Sequence, residues 1–131
     1  MHEFSIMTGV IEAVLKEIER LETEEGQEIE QVNEVFLEIG ELTFLGADQL
    51  QFCYSVLSEK NRLKGSKLTI STVPAEVRCD HCEYEGKIEY YSEFHLETPI
   101  LACPKCKETV TITKGRECAV RSVNLEIRDD E

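Results

Sequence analysis

Two cysteine pairs constrain this chain more than any other feature. They are Cys79 and Cys82 in RCDHCE and Cys103 and Cys106 in ACPKCK, with twenty residues between the pairs. Two residues between cysteines let a tight turn aim both sulfurs at one ion while backbone N–H groups point at the sulfurs. Pro104 fixes its own φ and stiffens the second turn. Two such turns place four thiolates around one tetrahedral Zn(II), with Zn–S bonds of ~2.3 Å. A closed four-sulfur site leaves no position for water, so its expected role is structural rather than catalytic. An iron site of the rubredoxin type uses the same four sulfurs, and spacing alone does not separate the two metals. Two redox or disulfide pairs are the remaining alternative. A reducing compartment disfavours static disulfides, and one dithiol would suffice for redox work. Residues 78–107 are too few for a core of their own, so bound metal is expected to supply much of their folding free energy. Ile88, Tyr90 and Phe94 suggest extended ribbon segments between the pairs. Cys53 and Cys118 lack the paired spacing and read as small buried hydrophobes.

The rest of the chain must supply an ordinary core. At 131 residues and 41% apolar it is long enough for one domain, with or without a small graft. No apolar run approaches the ~20 residues needed to cross a bilayer, and no leader pattern opens the chain, so a cytoplasmic location is expected. The formal net charge is -13. Such a surface repels phosphate backbones and anionic lipids, which argues against nucleic acid and membrane as partners. It suits a basic protein partner or cation capture.

Hydrophobic periodicity sets the elements. Met7, Val10, Ile11, Val14, Leu15, Ile18 and Leu21 form one stripe, predicting a helix over 5–22 with Ser5 as its cap. The acidic stretch ETEEGQEIE, with Gly26, ends it. Residues 31–39 place Val35, Leu37 and Ile39 on one strand face and Glu34 and Glu38 on the other, with Phe36 pointing to cover on both sides. Asp48 is a candidate cap for a second helix carrying Leu50, Cys53, Tyr54 and Leu57. KNRLKGSK is a basic loop, KLTISTVPAEV a strand from Lys67, and AVRSVNLEI a strand with Val123, Leu125 and Ile127 on one face. The expected class is α+β: helices on one side of a three-stranded, mostly antiparallel sheet, with an inserted zinc-ribbon-like domain.

The first three residues, Met1, His2 and Glu3, admit two readings. One is a terminus whose identity is immaterial. The other is a chelate. A terminal amine titrates at ~7.7–8.0, and with histidine second, the amine, the His2 amide nitrogen and the imidazole close two fused rings around one ion. Ni(II) and Cu(II) favour such nitrogen sites, whereas Mg(II) and Ca(II) do not. Glu3 adds a carboxylate ligand or holds the imidazole. Bulky His2 also disfavours removal of Met1. His81, inside the first cysteine turn, reads as an exposed turn residue, though it could exchange with a cysteine ligand. His95 reads either as a surface residue or as a further nickel ligand.

Taken in order, the opening MHE, the helix behind it, LEIGELTFLGADQLQFCYSVL, GSKLTI…PAEVRCDHC and the closing GREC…SVNLEI resemble the HypA/HybF family of [NiFe]-hydrogenase nickel-incorporation proteins. The resemblance spans essentially the whole chain. It implies a nickel-binding part at 1–76 plus 116–131 and a zinc-binding part at 77–115. It places the nickel motif on Met1, His2 and Glu3, and the zinc ligands on Cys79, Cys82, Cys103 and Cys106. It implies a metallochaperone that binds Ni(II) as cargo and passes it toward the hydrogenase large subunit, with a HypB-type GTPase and, in some members, urease maturation proteins as partners. Two departures stand out. Glu83 occupies the position of the usual glycine after the first pair, and the gap between pairs is longer than in many bacterial relatives. Neither removes a ligand.

No nucleophile–base pair, phosphate-cradling glycine loop or clustered acid pair is visible, so no catalysis is expected. The competing reading is a zinc-ribbon module for nucleic acid or transcription, which the acidic balance and the lack of a basic aromatic stripe disfavour.

Overall fold

The apolar stripe at the front of the chain becomes helix α1 (His2–Thr23) in the computed structural model, which describes residues 2–87 and 102–128 and, at His2, the backbone alone. Met7, Val10, Ile11, Val14 and Ile18 are buried along it, and Leu15 and Leu21 partly so. The helix begins ahead of the expected start, because Phe4 and Ile6 also pack on the core and carry the stripe upstream. Ser5 therefore lies inside the helix, exposed, and does not cap it. At the far end Gly26 adopts φ 65° and the Gln27 N–H donates to the Leu21 carbonyl at 3.1 Å, a left-handed stop that glycine permits.

Strand β1 (Ile29–Gly40) buries Val35, Leu37 and Ile39 against the helices and leaves Phe36 half-buried on its other face. It is the centre of a three-stranded sheet ordered β2-β1-β6. Strand β6 (Cys118–Ile127) runs antiparallel to β1, and β2 (Lys67–Val73) runs parallel to it. A parallel neighbour requires a crossover, and helix α2 (Ala47–Leu57) lies in it. Leu50, Cys53 and Tyr54 of α2 are buried, so the expected stripe is on the core side. The cap position falls on Gly46, with no side-chain cap bond; Asp48 sits in the first turn instead, where its charge still favours the helix dipole. Gln51 Nε2 donates to the Leu68 carbonyl at 2.7 Å and the Tyr54 and Ser66 hydroxyls lie 2.5 Å apart, which ties α2 to β2 and its approach.

KLTISTVPAEV does not stay one strand. Pro74 offers no N–H to a ladder, β2 ends at Val73, and β3 (Glu76–Cys79) enters a second sheet ordered β4-β3-β5. Both neighbours there, β4 (Glu85–Lys87) and β5 (Val110–Lys114), are antiparallel, so three of the four described strand pairings run that way. This sheet has a small core of Ala75 and Val77 with Leu42, Tyr84, Val110 and Ile112.

The two sheets meet through backbone. Gly40 N–H donates to the Glu117 carbonyl at 2.6 Å and Leu42 N–H to the Gly115 carbonyl at 2.7 Å. The Glu41 carboxylate accepts from Ala75 N–H at 3.0 Å, and the Glu117 carboxylate accepts from Gly115 and Arg116 N–H at 2.5 and 2.8 Å.

Two expectations for the last strand are corrected. Val123 and Leu125 pack on the core with Val120, but Ile127 is 50% exposed at the sheet end. A register shift between Phe36 and Leu37 brings Val120 to the packed face. Cys118 is exposed at the first position of the strand, although its cross-strand neighbour Ile39 is buried. Cys53 is buried as expected. Ile88, Tyr90 and Phe94 lie outside the described residues. Among the described residues no helix is long and apolar enough to cross a membrane.

Candidate metal centre

Each cysteine pair sits in the same local fold. The Glu83 N–H donates to the Cys79 carbonyl at 3.1 Å and the Cys79 N–H to the Tyr84 carbonyl at 2.8 Å. In the second turn Lys107 N–H donates to Cys103 at 2.9 Å and Cys103 N–H to Glu108 at 2.8 Å. The chain thus folds back on itself right after each pair, and the antiparallel β3–β5 pairing sets the two turns side by side.

The four Sγ atoms all lie within 4.8 Å of one another. Cys79 and Cys106 sulfurs are 3.4 Å apart, and Cys82 and Cys103 sulfurs 3.5 Å. Tetrahedral zinc with ~2.3 Å bonds needs sulfurs ~3.8 Å apart, so the cluster fits such an ion. The spacing is far beyond a disulfide bond of ~2.05 Å, and all four thiols are free.

Electrostatics explains why the cluster calls for a cation. Burial opposes ionisation of Cys103, but N–H groups of Cys106 and Lys105 outweigh it and bring the pKa down to about 6. Those N–H groups lie 3.5 and 3.4 Å from its sulfur. Cys106 moves the other way: the Glu108 N–H favours its thiolate, yet burial and the crowding of Cys79, Cys82 and Cys103 push it up to about 12. Cys82 is raised as well; the Tyr84 N–H favours its thiolate, but the neighbouring Cys103 and burial prevail. One thiolate forms readily and its neighbours resist. A divalent ion held by Cys79, Cys82, Cys103 and Cys106 would remove that conflict by favouring the thiolate form of each.

Glu83 and Lys107 follow their pairs at φ 61° and 67°. Both turns need a left-handed residue there, a position at which a side chain costs ~1–2 kcal/mol. The missing glycine at 83 was the sequence signal for this strain; Lys107 carried none. Lys107→Gly is expected to raise stability by about 1 kcal/mol at unchanged metal content. Thermal melting beside metal analysis checks it.

The other candidate residues are distributed as follows. His81 is exposed in the first turn. Glu3 lies half-buried in the first turn of α1, the helix that begins at His2. Met1, the His2 side chain and His95 lie outside the described residues.

The chain is similar to known proteins along its length. The family described as "Hydrogenase/urease nickel incorporation, metallochaperone, hypA" matches residues 1–125. "Hydrogenase maturation factor HypA" of Methanocaldococcus jannaschii is 35% identical over 130 residues, covering 98% of this chain and 100% of that protein. Its counterpart in Methanococcus maripaludis is 37% identical over 132 residues, covering all of both. Two solution structures share the fold at 20% identity. A HypA protein gives a TM-score of 0.64 over 96% of this chain and 97% of that one. The Ni metallochaperone HypA from Helicobacter pylori gives 0.58 over 94% and 96%. Agreement of that extent establishes descent, and this chain belongs to the HypA family of hydrogenase and urease nickel-incorporation metallochaperones.

Proposed function

We propose that the chain binds Ni(II) through Met1, His2 and Glu3 and delivers it to the [NiFe]-hydrogenase large subunit, in the cytoplasm, with a HypB-type GTPase and without catalysis of its own. The observation that carries this reading is that the family match starts at residue 1 and so includes the three-residue motif. The Met1 amine, the His2 amide nitrogen and the imidazole form a short chelate with few teeth. Cargo held that way leaves by ligand exchange to a stronger acceptor. Glu3 supplies a carboxylate at the start of α1; His95 stays the open position of the set, a surface residue or a further ligand. Urease maturation proteins are the second class of client.

Zinc at Cys79, Cys82, Cys103 and Cys106 is the structural part of the same proposal. It would cross-link two turns and supply folding free energy that the small second core lacks. The partition into a nickel part (1–76 plus 116–131) and a zinc part (77–115) is supported by two sheets, each with its own core, although Leu42, Ala75 and Glu76 of the first part join the second sheet and its core.

The test is equilibrium dialysis of zinc-loaded protein against Ni(II). His2→Ala, or one residue added before Met1, is expected to lose more than the ~10–100-fold that outer-shell partners of a metal carry, with zinc unchanged. Affinity should also fall as the pH drops below neutral, because protons compete for the amine and the imidazole. Undiminished nickel uptake by both variants overturns the assignment.

A further inference from the structure

Between the first turns of α1 and α2 lies an open apolar cavity of about 320 Å³, lined by Glu3, Phe4, Asp48, Gln49, Phe52 and Cys53. Phe52 is 64% exposed, more than any other large hydrophobic residue among those described. Val56, one turn further along α2, is 45% exposed. The core-facing residues of α2 are Leu50, Cys53 and Tyr54, so Phe52 and Val56 lie outside that stripe as a second, largely exposed apolar pair. Two carboxylates, Glu3 and Asp48, stand on the cavity, and neither lysine nor arginine is among its lining residues.

We infer that this face docks a helical segment of a partner protein, one that carries apolar residues a turn apart and lysine or arginine on its flanks. Charge complementarity selects that chemistry. Acidic groups at an apolar groove attract a basic amphipathic helix and repel an acidic one. The net charge of -13 favours the same partner at long range. A small molecule fits less well, since the apolar surface continues out of the cavity along α2. A second copy of this acidic chain is disfavoured by like-charge repulsion. The inference rests on the proposed nickel reading in one respect: Glu3 belongs to both, so the partner would dock beside the end of the chain that holds the cargo.

The probe is a labelled peptide of about 14 residues, long enough for marginal helicity. It has Phe and Leu at i, i+3, i+4 and i+7 and Lys elsewhere, and is compared with a scrambled peptide of the same composition. The zinc-loaded full chain is expected to bind the amphipathic form more tightly, with amide shifts centred on α2. Phe52→Ala should weaken binding by about tenfold or more, as for an aromatic anchor. Asp48→Asn should weaken it and reduce its salt dependence. Phe52 is exposed, so melting should be unchanged; Val56→Lys serves as an independent second variant. Equal binding of both peptides, no binding, or full binding by Phe52→Ala and Val56→Lys overturns the inference. So does self-association in sedimentation that Phe52→Ala abolishes. Nickel dialysis on the same samples separates the two readings. Peptide binding without nickel binding defeats only the nickel site, and nickel binding without peptide binding defeats only the docking face.

Discussion

Protein carrying Cys103→Ser is expected to be purified without zinc and with its second sheet unfolded. Cys103 is fully buried, receives two backbone N–H groups, and is the thiol most ready to ionise. Serine keeps the size but offers a hydroxyl that does not ionise near neutral pH. The remaining core of that sheet has two fully buried residues, Ala75 and Val77. Zinc binding is worth ~10–16 kcal/mol in small zinc-dependent folds at neutral pH, and two buried side chains recover only a few. Metal analysis should show zinc lost. Hydrogen exchange should show protection lost over 76–87 and 102–114 but kept in α1 and β1, whose core is separate. Cys118→Ser, an exposed thiol outside the cluster, should leave both readouts unchanged. Intact protection in zinc-free Cys103→Ser protein would refute metal-dependent folding of this sheet.

The second large effect is expected from one added methyl group. A Cβ on Gly40 would lie 2.1 Å from the Gly115 carbonyl carbon and oxygen and 2.6 Å from Arg116 N. All three are backbone atoms, so no side chain can swing aside. Gly115 cannot yield easily either: it adopts φ 113°, and a Cβ there would meet Ala75 Cα at 2.8 Å. Gly40→Ala should therefore break the junction bonds from Gly40 to Glu117 and from Leu42 to Gly115. The expected cost is at least ~3 kcal/mol, the upper range for overpacking, and a fall in melting temperature of ~10–20 °C. Gly9→Ala is the internal contrast. A Cβ on Gly9 meets nothing within 4 Å, and in a helix the same change stabilises by ~0.5–1 kcal/mol. Calorimetry on the two variants should give shifts of opposite sign; equal shifts would show that the junction is not close-packed.

How far the sequence could be read depended on whether one local force decided each feature. The cysteine turns were legible because ligand chemistry dictates their spacing, and the four sulfurs do converge. The α1 and α2 stripes were legible because burial repeats with the helical period. Boundaries were harder. Ser5 had the chemistry of a cap, but Phe4 and Ile6 packing carried the helix past it. Asp48 lost the cap position to Gly46 by two residues. Pro74, which has no N–H for a ladder, divided an apparently continuous strand, and tertiary pairing then sent its two halves to different sheets. Cys118 and Ile127 were expected inside because alternation says nothing about where a core stops. The exposure of Phe52 was invisible for the opposite reason: hydrophobicity alone cannot tell a core residue from a docking residue. The MHE motif could be read as a chelate or as an immaterial terminus, and it was the whole ordered pattern that favoured the first.

The pairing of β6 with β1 has a consequence for the order of folding. The chain leaves the first sheet at Val73 and rejoins it at Cys118. Forming β3, β4 and β5 first would draw the two ends of that excursion together, so a filled sulfur nest would lower the entropy cost of seating β6 on β1.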